Sequence, residues 1–149
     1  MRRAVASLVV VALAAGAAGC GSKSPEDVAK SNGEKVGKAA NQLTSANSVS
    51  DIESGITDLQ SALNDVKSNV KDKSGQLQRE VNQTKSSLTD AFDHVKQAVK
   101  SGNFSDISDA ISAAKIAVKN VGDDASSLAA STDKIVKAFW TGVKDGYGS

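Results

Sequence analysis

The residues of this chain that could do chemistry are few, and the clearest candidates are a histidine and an aspartate one helical turn apart. His94 is the only histidine, and Asp90 precedes it by four residues. On a helix this spacing places both side chains on one face, where they could bind a metal ion or act as a base with its orienting carboxylate. Nucleophilic catalysis also needs a nucleophile beside the base, and a di-iron bundle needs Glu-x-x-His on two helices. The sequence offers neither arrangement, so we expect no catalytic residues, no metal, no cofactor and no enzymatic activity.

The single cysteine, Cys20, follows a segment with the parts of an export signal. Met1-Arg2-Arg3 is positively charged, and residues 4–15 are apolar except for Ser7. This apolar stretch is too short to span a bilayer as a stable helix, but it suits a secretory signal peptide. A single cysteine also excludes a disulfide framework and a thiolate zinc site.

The string Ala17-Ala18-Gly19-Cys20 resembles the lipobox of bacterial lipoproteins. In that family a diacylglyceryl group is attached to the cysteine thiol, and a peptidase then cuts just before the cysteine, which implies cleavage between Gly19 and Cys20. Ala18 and Gly19 match the pattern, whereas Ala17 stands where leucine is commonest. The resemblance covers residues 1–20 and leaves the rest of the chain unrecognised. The alternative is an ordinary signal peptide that leaves Cys20 as a free thiol or removes it.

The resemblance implies a signal peptide over residues 1–19 and a lipidated Cys20 with a short linker to residue 24. Two acyl chains attach a protein stably to a bilayer, where one chain would be marginal. We therefore expect a protein outside the cytoplasm, anchored to the bacterial cell membrane through diacylglyceryl-Cys20. Without Arg2 and Arg3, 16 of the 18 basic residues remain against 17 acidic ones. This near-neutral balance argues against a nucleic-acid partner, which would require a basic surface.

Residues 25–146 are expected to form one all-α domain, an antiparallel up-down four-helix bundle. The chain has one proline, and Ser24-Pro25 followed by two acidic residues is typical of a helix start. The first helix extends to about residue 46, and Gly33 and Gly37 are expected to weaken it. Three further apolar stripes repeat in steps of three and four, the pattern of bundle or coiled-coil packing; they cover residues 49–70, 77–99 and 104–139.

Two similar strings, Lys73-Ser74-Gly75 and Lys100-Ser101-Gly102, separate these stripes. Each predicts a helix that ends with its glycine in the left-handed conformation. The alternative is a single helix over residues 50–100 in which Gly75 is only tolerated. The fourth stripe is longer than the others, so the last helix is expected to be either long or kinked near Gly122.

An unbroken last helix would return toward the end of the bundle that carries Cys20. Its final turns hold Phe139 and Trp140 with Lys137 and Lys144 nearby. Tryptophan and lysine are common at lipid interfaces, so these four residues are candidates for contact with the membrane or a partner. The alternative is that the segment packs on the bundle and Trp140 lies in the core.

The favoured function is that of a non-catalytic, lipid-anchored envelope protein that acts as an interaction or structural module through its helical faces. Its partner would be an envelope protein or a cell-wall component. The alternative is a carrier of a lipid or another small apolar ligand within the bundle. Small residues along the helices would permit such a cavity, but close helix packing also requires them: Ala39, Ala62, Ala91, Ala110 and Ala114.

Overall fold

Five α-helices make up most of the part of the chain that the structure, a computed structural model, describes, namely residues 23–70 and 74–149. They are α1 (Pro25–Ser45), α2 (Val49–Val70), α3 (Gly75–Ser101), α4 (Phe104–Leu128) and α5 (Lys134–Tyr147). The predicted all-α class is confirmed. The count of four helices is wrong, because the fourth apolar stripe is divided between α4 and α5.

Most helix ends follow local sequence signals. Ser24 caps α1, since its Oγ accepts from the Asp27 backbone N–H at 3.1 Å while the Asp27 carboxylate accepts in return from the Ser24 N–H. Gly102 ends α3 with a φ of 70°, as predicted. Gly75 instead begins α3, because Ser74 caps that helix by accepting from the Leu77 N–H. The prediction of a left-handed Gly75 is therefore wrong, and residues 50–100 form two helices.

The break in the last apolar stripe lies after Leu128 and not near Gly122. Helix α4 continues through Gly122, and Asp123 forms an ion pair of 2.9 Å with Lys119 one turn earlier. Helix α5 begins where Asp133 accepts hydrogen bonds from the backbone N–H groups of Ile135 and Val136, at 2.9 and 3.2 Å. An aspartate in this position satisfies the free N–H groups of a new helix. The Tyr147 ring at the end of α5 lies against Gly122 of α4, so the chain reverses between these two helices.

Helices α1 and α5 approach so closely that their backbones touch. A Cβ atom added to Gly33 would overlap the carbonyl oxygen of Phe139, and one added to Gly37 would overlap that of Val143. These contacts progress in the same direction along both helices, so α1 and α5 are parallel. The sequence-based expectation that Gly33 and Gly37 weaken α1 did not include this role, in which they form the surface of α1 that contacts α5.

The same contact is made from the other side by glycines of α5. A Cβ on Gly142 would overlap the carbonyl oxygen of Lys30, and one on Gly146 would overlap that of Glu34. Each helix thus presents two glycines four residues apart, and small residues at this spacing allow helix backbones to approach closely. An ion pair between Lys30 and Asp145, at 3.3 Å, lies beside the contact.

The remaining contacts define two ends of the molecule. Ser74 Oγ donates to the Asp133 carboxylate at 3.0 Å, and Asn69 donates to the buried Asn32 at 3.3 Å. The starts of α1, α3 and α5 and the end of α2 therefore lie together, and we call this the proximal end. The distal end holds the end of α1, the start of α2 and the α3–α4 turn. Helix α5 stops before it: Gly146 packs on Glu34 in the middle of α1, and Asn41 donates to the Ser149 carbonyl at 2.9 Å after α5 has ended.

We expect replacement of Asp133 by asparagine to destabilise the protein by about 0.5–1 kcal/mol at neutral pH. The amide oxygen can still cap α5, but the variant loses the negative charge that strengthens these hydrogen bonds and interacts favourably with the N-terminus of the helix. Hydrogen bonds from Val136, Ser74 and Ile135 lower the pKa of Asp133 below 3.8, against an opposing effect of partial burial. The stabilisation is therefore present above that value and is lost as the pH falls through the lower folded-state pKa. Denaturant unfolding at several pH values should show the difference between wild type and variant shrinking below about pH 4. Asp58→Asn, at an exposed site on α2, should change stability by less than about 0.5 kcal/mol at neutral pH.

Candidate functional site

The predicted lipidation and cleavage residues, Cys20 and Gly19, lie outside the described residues. The first described helix begins at Pro25, five residues after Cys20. Among the residues that the structure describes, no helix combines the length and the apolar character needed to cross a bilayer.

The four α5 residues predicted to contact a membrane or partner fall into two groups. Phe139 and Trp140 are 0% and 2% exposed, with their rings edge to face at a centroid distance of 5.0 Å. The Trp140 Nε1–H donates to the Glu80 carboxylate at 2.7 Å. Lys137 and Lys144 are exposed. The structure thus shows the alternative arrangement, in which this segment packs on the bundle and Trp140 lies in the core.

The direction of α5 also separates its two lysines. Because α5 runs parallel to α1, Lys144 lies two helical turns beyond Lys137, level with the middle of α1, since Gly142 and Gly146 on either side of it pack against Lys30 and Glu34. Lys137 lies near the start of the helix and thus at the proximal end. The expectation that the final turns point back toward Cys20 assumed an unbroken last helix, and the reversal at residues 129–133 removes that assumption.

The His94 and Asp90 pair is exposed on α3. His94 lines an open cleft between α3 and α4 that it shares with Asp106 and Asp109. Within residues 23–70 and 74–149, no group of three or more histidine, cysteine, aspartate or glutamate side chains is placed to hold a metal ion.

Two open clefts lie between α3 and α4. The cleft near the α3–α4 turn has a volume of about 570 Å³ and includes Ala98, Ala110 and Ala113 in its lining. The second cleft, of about 480 Å³, lies toward the proximal end and includes Leu88, Ala117, Val121 and Leu128. We call the two clefts together the α3–α4 groove. Its apolar lining is made largely of small residues, because alanines at these positions cannot fill the space between the helices.

Two large apolar side chains of the described residues are mostly exposed, and both belong to α4. Phe104 is 85% exposed and Ile116 is 61% exposed. Lys115 Nζ donates to the carbonyl of Ala46 at the end of α1, and Phe104 lies eleven residues, or about 17 Å of helix, beyond that point. The apolar stripe of α4 therefore continues past the end of α1, which explains the exposure of Phe104.

Ile116 lies outside the apolar stripe of α4, on the outer side of the helix. It is within one turn of Ala113 and Asn120, which line the two clefts. The three-four pattern of apolar residues did not predict a role for Ile116. The one sequence feature that could have identified it is that this isoleucine lies outside the apolar stripe. Its exposure beside the groove makes this side of α3 and α4 the strongest candidate for a binding surface.

The fold and the surface together define an all-helical protein whose described part has one buried core and an open groove between two antiparallel helices. No protein-family model, no curated protein and no solved structure matches the chain.

Proposed function

We propose that the chain is a lipid-anchored, non-catalytic protein of the bacterial cell envelope that acts by binding a partner through its helical surface. The observation that carries this proposal is the lone cysteine placed directly after Ala17-Ala18-Gly19, at the end of a positively charged and then apolar segment. In this proposal the signal peptide is residues 1–19, the mature protein lies outside the cytoplasmic membrane, and its helices alternate in direction as an up-and-down bundle. The partner is an envelope protein or a cell-wall component.

The short stretch of chain between Cys20 and α1 would keep the lipid anchor close to the bundle. Pro25 follows Cys20 by five residues, and an extended chain of that length spans at most about 17 Å. A lipid on Cys20 would hold the proximal end next to the bilayer. The groove and the distal end would then remain accessible to partners.

Cavity size favours binding at the surface over the carrier alternative. A carrier needs an enclosed apolar cavity of several hundred Å³. The small apolar cavity beside Val66, Leu77 and Val81 has a volume of only about 10 Å³, while the α3–α4 groove is open to solvent. Ala39, Ala62 and Ala114 are buried in helix contacts, which is the role that close packing gives to small residues.

Replacement of Cys20 by serine is the direct test of the anchor. We expect the variant to leave the membrane fraction or to accumulate as the uncleaved precursor, because serine lacks the thiol that accepts the diacylglyceryl group. Fractionation, detergent phase partition and intact mass measurement report the outcome. Ser22→Ala is the matched control and should stay membrane-bound at the lipidated mass. A Cys20→Ser protein that still enters the detergent phase at its mature mass would show that the anchor assignment is wrong.

A further inference from the structure

We infer that the α3–α4 groove binds a cationic amphipathic helix of a partner protein. This inference rests on the proposed function, a protein that acts by binding, and specifies the surface and the chemistry of the partner. Three observations carry it: the apolar lining of the groove, the charges along its edges, and the exposed isoleucine between its two clefts.

The lining of the groove fits the apolar face of a helix. Its apolar lining comes from four alanines and from Leu88, Val121 and Leu128, and polar or acidic side chains line the rest of it. Small residues let a third helix approach two antiparallel helices closely, and an amphipathic helix in an apolar groove is a common mode of recognition. From Glu80 to Ser101 the groove follows 21 residues of α3, a length of about 32 Å. A partner helix of about 20 residues would span it.

The charges along the groove all have one sign. Glu80 and Asp124 line the proximal cleft, and Asp106 and Asp109 line the cleft near the α3–α4 turn. No lysine or arginine lines either cleft. Complementary charge raises the rate and specificity of association more than it raises affinity. These four carboxylates therefore favour a partner helix that carries lysine or arginine on both sides of its apolar face.

Three lysines of α3 and α4 have partners outside the groove. Lys85 donates to Asn64 on α2 at 2.7 Å, and Lys115 donates to the α1 carbonyl of Ala46. Lys119 pairs with Asp123 on its own helix at 2.9 Å. Neither these three lysines nor the other basic residues of α3 and α4 line either cleft.

Ile116 supplies an observation independent of charge. Its side chain is 61% exposed, and along α4 it follows Ala113, which lines one cleft, and precedes Ala117, which lines the other. A single exposed aliphatic residue is common on protein surfaces. Here it stands next to an alanine-lined groove, where a partner helix would cover it.

The test measures binding of two synthetic helical peptides to the full chain, purified as the cell makes it and with detergent if it is membrane-bound. One peptide has leucine at helical spacing with lysine elsewhere, and the other has glutamate in place of lysine. Fluorescence anisotropy of the labelled peptides, with detergent alone as blank, gives the affinities. We expect the lysine peptide to bind at least about tenfold more tightly than the glutamate peptide.

Charge reversal locates the site. Asp109→Lys combined with Asp124→Lys changes one carboxylate in each cleft and should weaken binding of the lysine peptide by about tenfold or more. Asp58→Lys combined with Asp65→Lys makes the same change in net charge on exposed sites of α2, and should weaken it by less than about threefold. Ile116→Ser should weaken it by about threefold to tenfold. Circular dichroism verifies that each variant is folded.

Three results would each overturn the inference: equal affinity for the two peptides, equal effects of the two charge reversals, or unchanged binding by the Ile116→Ser variant. Preference for the glutamate peptide would likewise contradict it. The Cys20→Ser fractionation reports the anchor separately, so a membrane-bound protein whose groove binds neither peptide would leave the anchor proposal standing.

Discussion

Replacement of Gly142 by alanine is expected to destabilise the protein by about 3 kcal/mol or more, although alanine is the better helix former by about 1 kcal/mol. The added Cβ would overlap the backbone carbonyl of Lys30. A side chain can rotate away from such an overlap, but a carbonyl within a helix cannot, so α1 and α5 must separate. Their separation would open the contact that buries Phe139 and Val143. Overpacking of a closed interface costs about 1–3 kcal/mol and sometimes more.

Denaturant unfolding of the purified protein, followed by circular dichroism, measures this loss. Gly33→Ala tests the same interface from α1 and should cost a similar amount. Gly75→Ala is the matched control, because the nearest atom to its new Cβ would be a flexible Arg79 nitrogen at 3.8 Å. That change should leave stability unaltered or raise it by up to about 1 kcal/mol. If all three alanine variants were equally stable, the close parallel contact of α1 and α5 would be wrong.

Replacement of Trp140 by alanine is expected to cost about 3–5 kcal/mol, the range for a large buried aromatic side chain. Trp140 is 2% exposed and its indole N–H is bonded to Glu80, so the variant loses packing and leaves a carboxylate without that donor. Trp140→Phe should cost less, since it keeps most of the apolar contact. Unfolding monitored by circular dichroism gives both values.

Fluorescence of the wild-type protein tests the same placement without a mutation, because Trp140 is the single tryptophan. The buried indole should emit at short wavelength, and anionic vesicles should leave the emission unchanged. A shift to shorter wavelength on addition of vesicles would contradict the burial and would indicate that α5 contacts lipid. Denaturant should move the emission to longer wavelength as the core opens.

The candidate binding surface was only partly predictable. The alanine at position 110 is evident in the sequence as a small residue, but the sequence does not show whether it fills a tight contact or lines an open groove. Asp109 and Asp124 lie near the two ends of α4, and the antiparallel packing of α3 on α4 places them along one groove with Glu80. Such a combination depends on which helices are neighbours, and a single-helix pattern contains no information on that.

The sequence by itself determined the features that depend on a few adjacent residues. Ser24 with Asp27 caps α1, Gly102 ends α3, and the spacing of apolar residues makes the described chain helical, since capping and helix periodicity are local effects. Only the tertiary structure decided that Gly33 meets Phe139 of α5, that α5 runs parallel to α1, and that Phe104 is exposed while Trp140 is buried. An apolar stripe shows which face of a helix avoids water. It does not show which helix packs on that face or at which residue that packing stops. Those outcomes depend on backbone contacts between segments near opposite ends of the chain.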